Sequence, residues 1–215
     1  MKRTWGEYLA TIVVAIGLAL LVRTFLITAY KIPTGSMRPT LLPGDFIFVN
    51  RLAYSFGSNL ERGDLVALSG IQSSPVSYIK RVIGLPGDRI EIKGNILYLN
   101  DEAAIYTEVS DEESQNPNPN VFKAYEEKFE FGSHRILISK ESGLGDFGPV
   151  VVPPGELFLM GDNRDTSEDS RFWGTIPQNL VFGRVSVIWL SLDPQFNAER
   201  GRTRLRWERI LTEPQ

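Results

Sequence analysis

Ser36 and Lys80 are the residues whose types and settings could together perform covalent chemistry. Ser36 stands within residues 32–41, a few positions beyond a long apolar run, and Lys80 stands within residues 78–84. A serine hydroxyl becomes a useful nucleophile only when a base takes its proton, and a neutral lysine amine can be that base. The pair therefore predicts a serine nucleophile served by a lysine base just outside a membrane.

The amino-acid composition argues against several other classes of enzyme and binding site. The 215 residues include no cysteine, which excludes cysteine peptidases, thiol redox enzymes and Cys/His zinc sites. The single histidine, His134, reads as a residue of a turn that enters a strand, which makes it a weak alternative base for a Ser-His-Asp triad. A formal charge of −3 and a pI near 5.4 provide no basic surface for nucleic acid.

A lysine base must be neutral near pH 7, and this requirement predicts where Lys80 lies. Its pKa has to fall from about 10.4 by about three units, which corresponds to roughly 4 kcal/mol of desolvation. Strand alternation places Lys80 on one face with Tyr78 and Val82, and it places Arg81 on the other face. We therefore expect Lys80 among apolar and aromatic neighbours, with the charge of Arg81 paired elsewhere.

The N-terminal segment has the length and apolarity of a membrane anchor. Residues 8–22 carry no charge, and the apolar pattern resumes after Arg23 through residue 30. As one helix, residues 8–30 would be roughly 34 Å long, enough for the hydrocarbon core of a bilayer. Arg23 could then extend its side chain toward the outer headgroups. The pattern predicts a transmembrane anchor over 8–30 that follows a tail over 1–7.

The flanking charges predict how this anchor is oriented. Lys2 and Arg3 precede it, so the positive-inside tendency places the N-terminus in the cytoplasm and everything after the anchor outside. A cleaved signal peptide is the alternative interpretation. Arg23 interrupts the approach to any cleavage site, and residues 27–29 match the small-x-small pattern poorly, so this alternative is disfavoured.

Beyond the anchor, short runs of β-branched and aromatic residues alternate with Gly, Pro and Asp, which is typical of an antiparallel β protein. Leu-Pro-Gly-Asp occurs at 42–45 and at 85–88, and each copy suits a tight turn because Gly can adopt a positive φ after Pro. The predicted strands cover residues 45–49, 65–68, 77–83, 89–92, 96–99, 135–139, 157–160 and 181–190.

A change of composition divides the predicted β region. Residues 101–154 are more polar, and 111–120 read as an exposed loop whose acidic run is solvated. We expect a catalytic core over 31–92 and 155–215, interrupted by an inserted, non-catalytic β subdomain over 93–154. The expected fold is mainly β, with an antiparallel coiled-sheet core behind one N-terminal transmembrane helix.

Four segments in the order of the chain carry a resemblance to a known family. They are Gly35-Ser36-Met37-x-Pro39-Thr40-Leu41, Arg62-Gly63-Asp64-Leu65-Val66, Tyr78-Ile79-Lys80-Arg81-Val82-Ile83-Gly84-Leu85-Pro86-Gly87-Asp88 and Gly161-Asp162-Asn163-Arg164-Asp165-x-Ser167-x-Asp169-Ser170-Arg171-x-x-Gly174. Together they closely resemble bacterial type I signal peptidases, also called leader peptidases. The resemblance weakens around residues 95–150.

The resemblance implies a role for each matching residue. Ser36 would be the acylating nucleophile, and Lys80 would be the general base in acylation and deacylation. The backbone N–H of Ser36 and the hydroxyl of Thr34 would hold the oxyanion. Many relatives have Ser where this chain has Thr34, so the hydroxyl is kept with an added methyl group.

Other residues of the last segment would support this pair. Ser167 would hydrogen-bond Lys80 and orient its amine, and Asp169 with Arg171 would form a structural ion pair near the site. Residues 161–171 lack the Gly and the distal Glu of a calcium loop, so they predict no metal site. The resemblance implies no cofactor.

The resemblance also implies a substrate and a way to bind it. An extended peptide would add as a strand between residues 29–35 and the strand that ends at Lys80, with small residues at the first and third positions before the cut, the Ala-x-Ala preference. Residues that match the walls of the shallow pockets are Ile32, Pro33, Met37, Leu41 and Ile79. Ordinary core packing is the alternative for each of them, and it is the favoured one for Leu41. The partners would be signal peptides of exported preproteins and the lipid bilayer.

The predicted function is removal of signal peptides at the bacterial inner (plasma) membrane, with one span and the catalytic domain on the outer face. A self-cleaving Ser/Lys protease of the repressor type is an alternative, but such proteins carry a DNA-binding domain where this chain has an apolar run. A catalytically silent, membrane-tethered binding module is a third possibility, against which Ser36, Lys80 and Ser167 argue.

Overall fold

The computed structural model describes residues 5–25, 27–55, 58–71, 77–110, 116–197 and 202–214. These residues form helices α1 (Trp5–Phe25) and α2 (Ser170–Trp173), and 3-10 turns at Arg164–Thr166, Gln178–Leu180 and Trp207–Arg209. The strands are β1 (Ile27–Lys31), β2 (Asp45–Asn50), β3 (Leu65–Leu68), β4 (Tyr78–Gly84), β5 (Arg89–Lys93), β6 (Ile96–Leu99), β7 (Glu102–Ala103), β8 (Ile105–Val109), β9 (Phe122–Phe129), β10 (Gly132–Ser139), β11 (Phe147–Val151), β12 (Glu156–Met160), β13 (Ile176–Pro177), β14 (Val181–Asn197) and β15 (Arg202–Leu205).

The largest sheet has the strand order β1-β2-β14-β3-β4-β12-β13, and β15 also pairs with β14. All of its pairings are antiparallel. The long strand β14 pairs with β2 and β3 and shifts register along each ladder, so it changes partners without leaving the sheet. The predicted mainly β class with antiparallel pairing is confirmed.

Two smaller sheets pack beside the large one, with orders β10-β9-β8 and β11-β5-β6-β7. One apolar cluster joins them to the large sheet, because it contains Ile90 of β5, Ile136 of β10 and Phe158 of β12. The insertion boundaries at 92/93 and 154/155 stay a prediction from the sequence. Strand β5 crosses the first boundary, and its residues 89–92 pair with β11 inside the predicted insertion.

The segment predicted as one transmembrane helix over 8–30 is not a single helix. Helix α1 ends at Phe25, and strand β1 begins at Ile27 and pairs with β2 from Ile27↔Asn50 to Lys31↔Phe46. Pairing with a distant strand therefore overrides the local apolar pattern, and β-branched residues such as Ile27 and Thr28 favour that outcome. Within the described ranges, no helix combines the length and the apolarity that a membrane crossing requires. Of the predicted tail, residues 1–4 lie outside the described residues.

The two Leu-Pro-Gly-Asp turns form as predicted. Gly44 has a φ of 90° and Gly87 a φ of 89°, in the left-handed region where glycine is favoured. The closing aspartates repeat the same contact, since Asp45 and Asp88 each accept a hydrogen bond of 2.8 Å from the backbone N–H three residues earlier. These turns deliver the chain into β2 and β5.

Candidate active site

A cleft of about 330 Å³ lies between the end of β1 and the beginning of β4. Residues 30–34 and 36–37 line one side and residues 77–80 line the other, so Ser36 and Lys80 share this cleft. The chain brings them together because β1 and β4 belong to the same sheet and the turn after β1 carries Ser36. The predicted pair is thus assembled across 44 positions of sequence (80 − 36).

Ser36 lies in a turn that adjoining segments hold firmly. Its backbone carbonyl accepts a hydrogen bond of 3.0 Å from the backbone N–H of Asn163. The side-chain Nδ2 of Asn163 donates to the carbonyl of Gly35 at 3.2 Å. The hydroxyl of Thr34 lies 3.5 Å from the hydroxyl of Ser36, so a second polar group accompanies the candidate nucleophile.

Lys80 is the third residue of β4, and only 2% of its surface is exposed. Its Nζ donates a hydrogen bond of 2.6 Å to the hydroxyl of Ser167, which is the contact that the resemblance implies. Nζ also lies 5.5 Å from the centre of the Trp173 ring, and this ring packs edge to face against Tyr78. The amine is therefore surrounded by aromatic groups and a neutral hydroxyl.

This environment changes the protonation of Lys80. Burial lowers the pKa of Lys80 from 10.5 to about 8, against the opposing charge of Asp169 and with a smaller lowering by Arg171. Desolvation dominates because water can no longer stabilise the ammonium. A sizeable fraction of the amine is then neutral near pH 7 to 8, as a base must be.

The segment over 161–171 reaches the cleft because Gly161 has no side chain. A β-carbon at Gly161 would overlap the hydroxyl of Ser167 and lie 2.6 Å from the carbonyl oxygen of Ser36. Asp169 fixes the same segment, since its carboxylate accepts from Gly161 N–H at 3.0 Å and from Arg171 Nε at 2.9 Å. Burial alone raises the pKa of Asp169, but the Arg171 guanidinium outweighs it and keeps the pKa low.

Four of the five predicted pocket residues line the cleft. They are Ile32, Pro33, Met37 and Ile79. Leu41 is the correction, because it is fully buried and packs in an apolar cluster with Ile47 and Val49 of β2. The turn over 36–40 directs Leu41 into the core, where burying its side chain contributes stability, and away from the cleft wall.

His134 has a structural environment of its own and does not line the cleft described above. It lies in β10, is 5% exposed, and its Nε2 is 3.1 Å from a carboxylate oxygen of Glu127. Burial lowers the pKa of His134, and Arg81 lowers it further. Arg81 itself pairs with Asp162 at 2.7 Å, as expected for the opposite face of β4. In the part of the chain that is described, no group of His, Asp and Glu side chains has the arrangement of a metal site.

Two further residues contact the candidate pair without a sequence pattern that predicts these contacts. Asn163 belongs to a motif segment, but its grip on residues 35 and 36 depends on a contact across more than 120 positions. Trp173 falls on a position that the motif leaves free, although its ring covers Lys80. The sequence shows an aromatic residue two positions after Arg171, but its contact with Lys80 becomes evident only from the packing.

Comparison with known proteins identifies the family. The sequence profile described as "Signal peptidase, peptidase S26" matches residues 5–190. The chain belongs to the signal peptidase family, peptidase S26. This peptidase is 38% identical to signal peptidase I of Bacillus amyloliquefaciens, over 87% of this chain and 86% of the relative. It is 34% identical to signal peptidase I of Pseudomonas aeruginosa, over 84% of this chain and 71% of the relative.

A solved structure is similar as well. The crystal structure of a signal peptidase I from Enterococcus faecalis V583 shares 25% sequence identity and covers 59% of this chain and 97% of that chain, with a TM-score of 0.38. The family match and the relatives establish that this chain is a signal peptidase I type serine endopeptidase.

Proposed function

We propose that this peptidase removes N-terminal signal peptides from exported preproteins, with Ser36 as nucleophile and Lys80 as general base. The observation that carries the proposal is a buried lysine amine that shares a cleft with a serine hydroxyl and is held by the neutral hydroxyl of Ser167. Lys80 would take the proton of Ser36 as the hydroxyl attacks the scissile carbonyl, and would pass it to the leaving amine as the peptide bond breaks, which returns Lys80 to its neutral form. The same amine would then activate the water that releases the acyl group.

The oxyanion would be held beside Ser36. Thr34 supports this step because its hydroxyl lies 3.5 Å from that of Ser36 and can donate to a developing negative charge. Thr34→Val keeps the shape and removes the donor, so we propose it, with Thr34→Ser as the matched control, to test the donor. Turnover should be lost in Thr34→Val, with little change in KM, and kept in Thr34→Ser. Wild-type turnover in both variants would exclude Thr34 as an oxyanion donor.

The substrate would bind as an added β-strand. Strand β1 ends the sheet order, and β12 pairs with β4 only from Arg81 onward, so among the described residues both backbone edges at the cleft lack a strand partner. An extended peptide could use these edges, and the walls of Ile32, Met37 and Ile79 leave shallow space for small side chains. These features support cleavage after an Ala-x-Ala sequence.

Association with a lipid bilayer is a further part of the proposal. Side chains of α1 such as Leu9, Val13 and Ile16 are more than half exposed, and α1 leads directly into β1 at the cleft. Apolar side chains exposed in this way favour contact with lipid. Cosedimentation with phospholipid vesicles tests it: Leu9→Glu with Val13→Glu should weaken binding, and unchanged binding would exclude this contact. The orientation with the catalytic domain outside depends on Lys2 and Arg3, which lie outside the described residues.

The decisive experiment is cleavage of a preprotein with an Ala-x-Ala sequence by the detergent-solubilised protein. Wild type, Ser36→Ala and Lys80→Ala are compared with Lys93→Ala, an exposed lysine of β5, as the control. Wild type and the control should cut after the second alanine, which N-terminal sequencing of the product would detect. Ser36→Ala and Lys80→Ala should be inactive but folded. Cleavage by Lys80→Ala would refute the proposed base.

The same assay separates the alternative functions. A self-cleaving protease would cut its own chain at a rate independent of protein concentration and leave preproteins intact. A silent binding module would retain preproteins without cutting them. Either result with folded wild-type protein would overturn the proposed function.

A further inference from the structure

One short segment, residues 163–167, contacts both members of the proposed pair. At its beginning, Asn163 holds the carbonyls of Gly35 and Ser36 through hydrogen bonds of 3.2 and 3.0 Å. At its end, Ser167 accepts the hydrogen bond of 2.6 Å from Lys80. The relative position of nucleophile and base therefore depends on whatever fixes this segment.

Arg164, inside the segment, is anchored in the neighbouring three-stranded sheet. Its side chain is 1% exposed, and its two terminal nitrogens donate to the two carboxylate oxygens of Glu127, one at 2.7 Å and the other closer. Glu127 lies on β9 and has no exposed surface. Its carboxylate also accepts a hydrogen bond of 2.8 Å from the Tyr106 hydroxyl on β8. A bidentate contact of this kind fixes direction as well as distance.

The charges of this pair are stable around neutral pH. Burial alone raises the pKa of Glu127, but Arg164 and His134 outweigh it and hold the pKa well below its ordinary value. Burial alone lowers the pKa of Arg164, and Glu127 raises it above its ordinary value. Both groups therefore stay ionised, and each keeps the other from being an unpaired buried charge.

Strand β10 holds the rest of the segment. The backbone N–H of Leu137 donates to the carbonyl of Asp162 at 2.9 Å. The carboxylate of Asp165 accepts from the backbone N–H of Ser139 at 2.6 Å and from the hydroxyl of Ser142 at 2.8 Å. Before Arg164 the contact between sheet and segment is therefore a backbone hydrogen bond, and after Arg164 it is made by the carboxylate of Asp165.

We propose that Glu127 is a positioning residue for catalysis, which acts through Arg164 to hold Asn163 against Ser36 and Ser167 against Lys80. The inference rests on the proposed function and departs from the expectation that residues 93–154 are non-catalytic. Glu127 touches neither substrate nor reacting atoms. Its effect is geometric, and a displacement of about 1 Å between nucleophile and base can cost about 100-fold in rate.

Glu127→Gln tests this proposal, because it keeps the size of the side chain and removes the charge. The matched control is Glu126→Gln, since Glu126 is the exposed neighbour on β9 whose carboxylate bonds the hydroxyl of Ser133. Cleavage of an Ala-x-Ala preprotein gives kcat and KM, and near-UV circular dichroism gives the folded fraction. We expect kcat per folded molecule to fall by about 10- to 100-fold in Glu127→Gln, with KM within about twofold and the control unchanged.

A purely structural role would give a different result. The folded fraction would fall, and kcat per folded molecule would match Glu126→Gln; that outcome overturns the proposal. If Glu127→Gln does not fold, Arg164→Lys decides the matter, because it keeps the positive charge and loses the bidentate contact. A loss confined to kcat supports positioning, and unchanged kcat overturns it. Wild type, Ser36→Ala and Lys80→Ala in the same assay reveal separately whether the proposed function fails.

Discussion

Lys80 and Arg164 are both buried cations, yet their surroundings are opposite. Lys80 is 2% exposed and its amine is bonded to a neutral hydroxyl beneath an aromatic ring. Arg164 is 1% exposed and both terminal nitrogens are bonded to one carboxylate. Burial therefore lowers the pKa of Lys80 to about 8, whereas Glu127 keeps Arg164 charged.

Two cations in one small region can therefore differ in their chemistry because their bonded partners differ. A buried cation without a bonded carboxylate is unstable as an ion and is available as a base. A buried cation with a bidentate partner is fixed and cannot react, so it serves to hold the backbone. The segment over 163–167 contains Arg164 and also Ser167, the hydrogen-bond partner of Lys80, so it connects the fixed cation to the proposed base.

Lys80→Arg is the most severe test of the proposal that Lys80 acts as the base. The guanidinium stays protonated at any accessible pH, so it cannot act as a base. We expect preprotein cleavage to fall by about 1,000-fold or more, while Lys93→Arg on the exposed face of β5 changes little. Activity within about tenfold of wild type would mean that another group is the base.

Arg164→Met tests the structural role of the buried ion pair between Arg164 and Glu127. The substitution leaves the Glu127 carboxylate buried without its cation, and we expect the free energy of unfolding to fall by about 4 kcal/mol. Urea unfolding at pH 7 measures it. The control is Lys123→Met, which removes an exposed ion pair with Glu108 and should cost less than about 1 kcal/mol. A similar, small change in both variants would contradict the structural role of Arg164.

Lys80→Met should change stability in the opposite direction. The folded pKa of about 8 lies below the unfolded value of about 10.4, so the unfolded state binds the proton more tightly and the wild type is destabilised below pH 8. We expect a gain of about 3 kcal/mol at pH 7 that diminishes as pH rises from 8 toward 10.4. Lys93→Met is the control. A loss of stability at pH 7 would show that Lys80 contributes favourably to the fold.

Ser167→Ala removes the neutral partner of Lys80. The amine then loses its hydrogen bond and its direction, and we expect kcat to fall by about 10- to 100-fold with KM nearly unchanged. Ser133→Ala on β10 provides a control, since its hydroxyl bonds the exposed Glu126. Wild-type kcat in Ser167→Ala would remove Ser167 from the mechanism.

The pH dependence of the wild type is the mildest test. Because the proposed mechanism requires neutral Lys80, it predicts that kcat/KM rises about tenfold per pH unit below the pKa and levels off above about pH 8. Arg164 should contribute no inflection. A plateau that extends down to pH 6 would contradict a base with a pKa of about 8.

Local patterns predicted the parts that depend on near neighbours. The two Leu-Pro-Gly-Asp turns and eight strands follow from Pro and Gly geometry and from runs of β-branched residues, and the structure contains them with boundaries that mostly shift by a residue or two. The main exceptions are β10, which begins three residues earlier, and β14, which continues to Asn197. In β14 the partners are strands far away in sequence, so local composition could not define the end.

Distant pairing explains the errors. Residues 27–30 look like the end of an apolar helix, but β2 offers hydrogen bonds that make them a strand. Leu41 matches a pocket position by motif, but the turn directs it into the core. Strands β8, β9 and β11 have weak apolar alternation and gain their structure from pairing within two sheets. Glu127 has no local sequence signal, since the role proposed for it depends on a contact with Arg164, 37 positions along the chain.

Residue types alone define which chemistry is available: a serine and a lysine in motif settings, hydroxyls at Thr34 and Ser167, and no cysteine. The environment that tunes this chemistry forms only when the chain folds. Desolvation of Lys80, the cover of Trp173 and the anchor from Glu127 through Arg164 all depend on groups that come together only when the sheets pack. A side chain's type is written in the sequence, but its pKa and its position depend on what surrounds it in space.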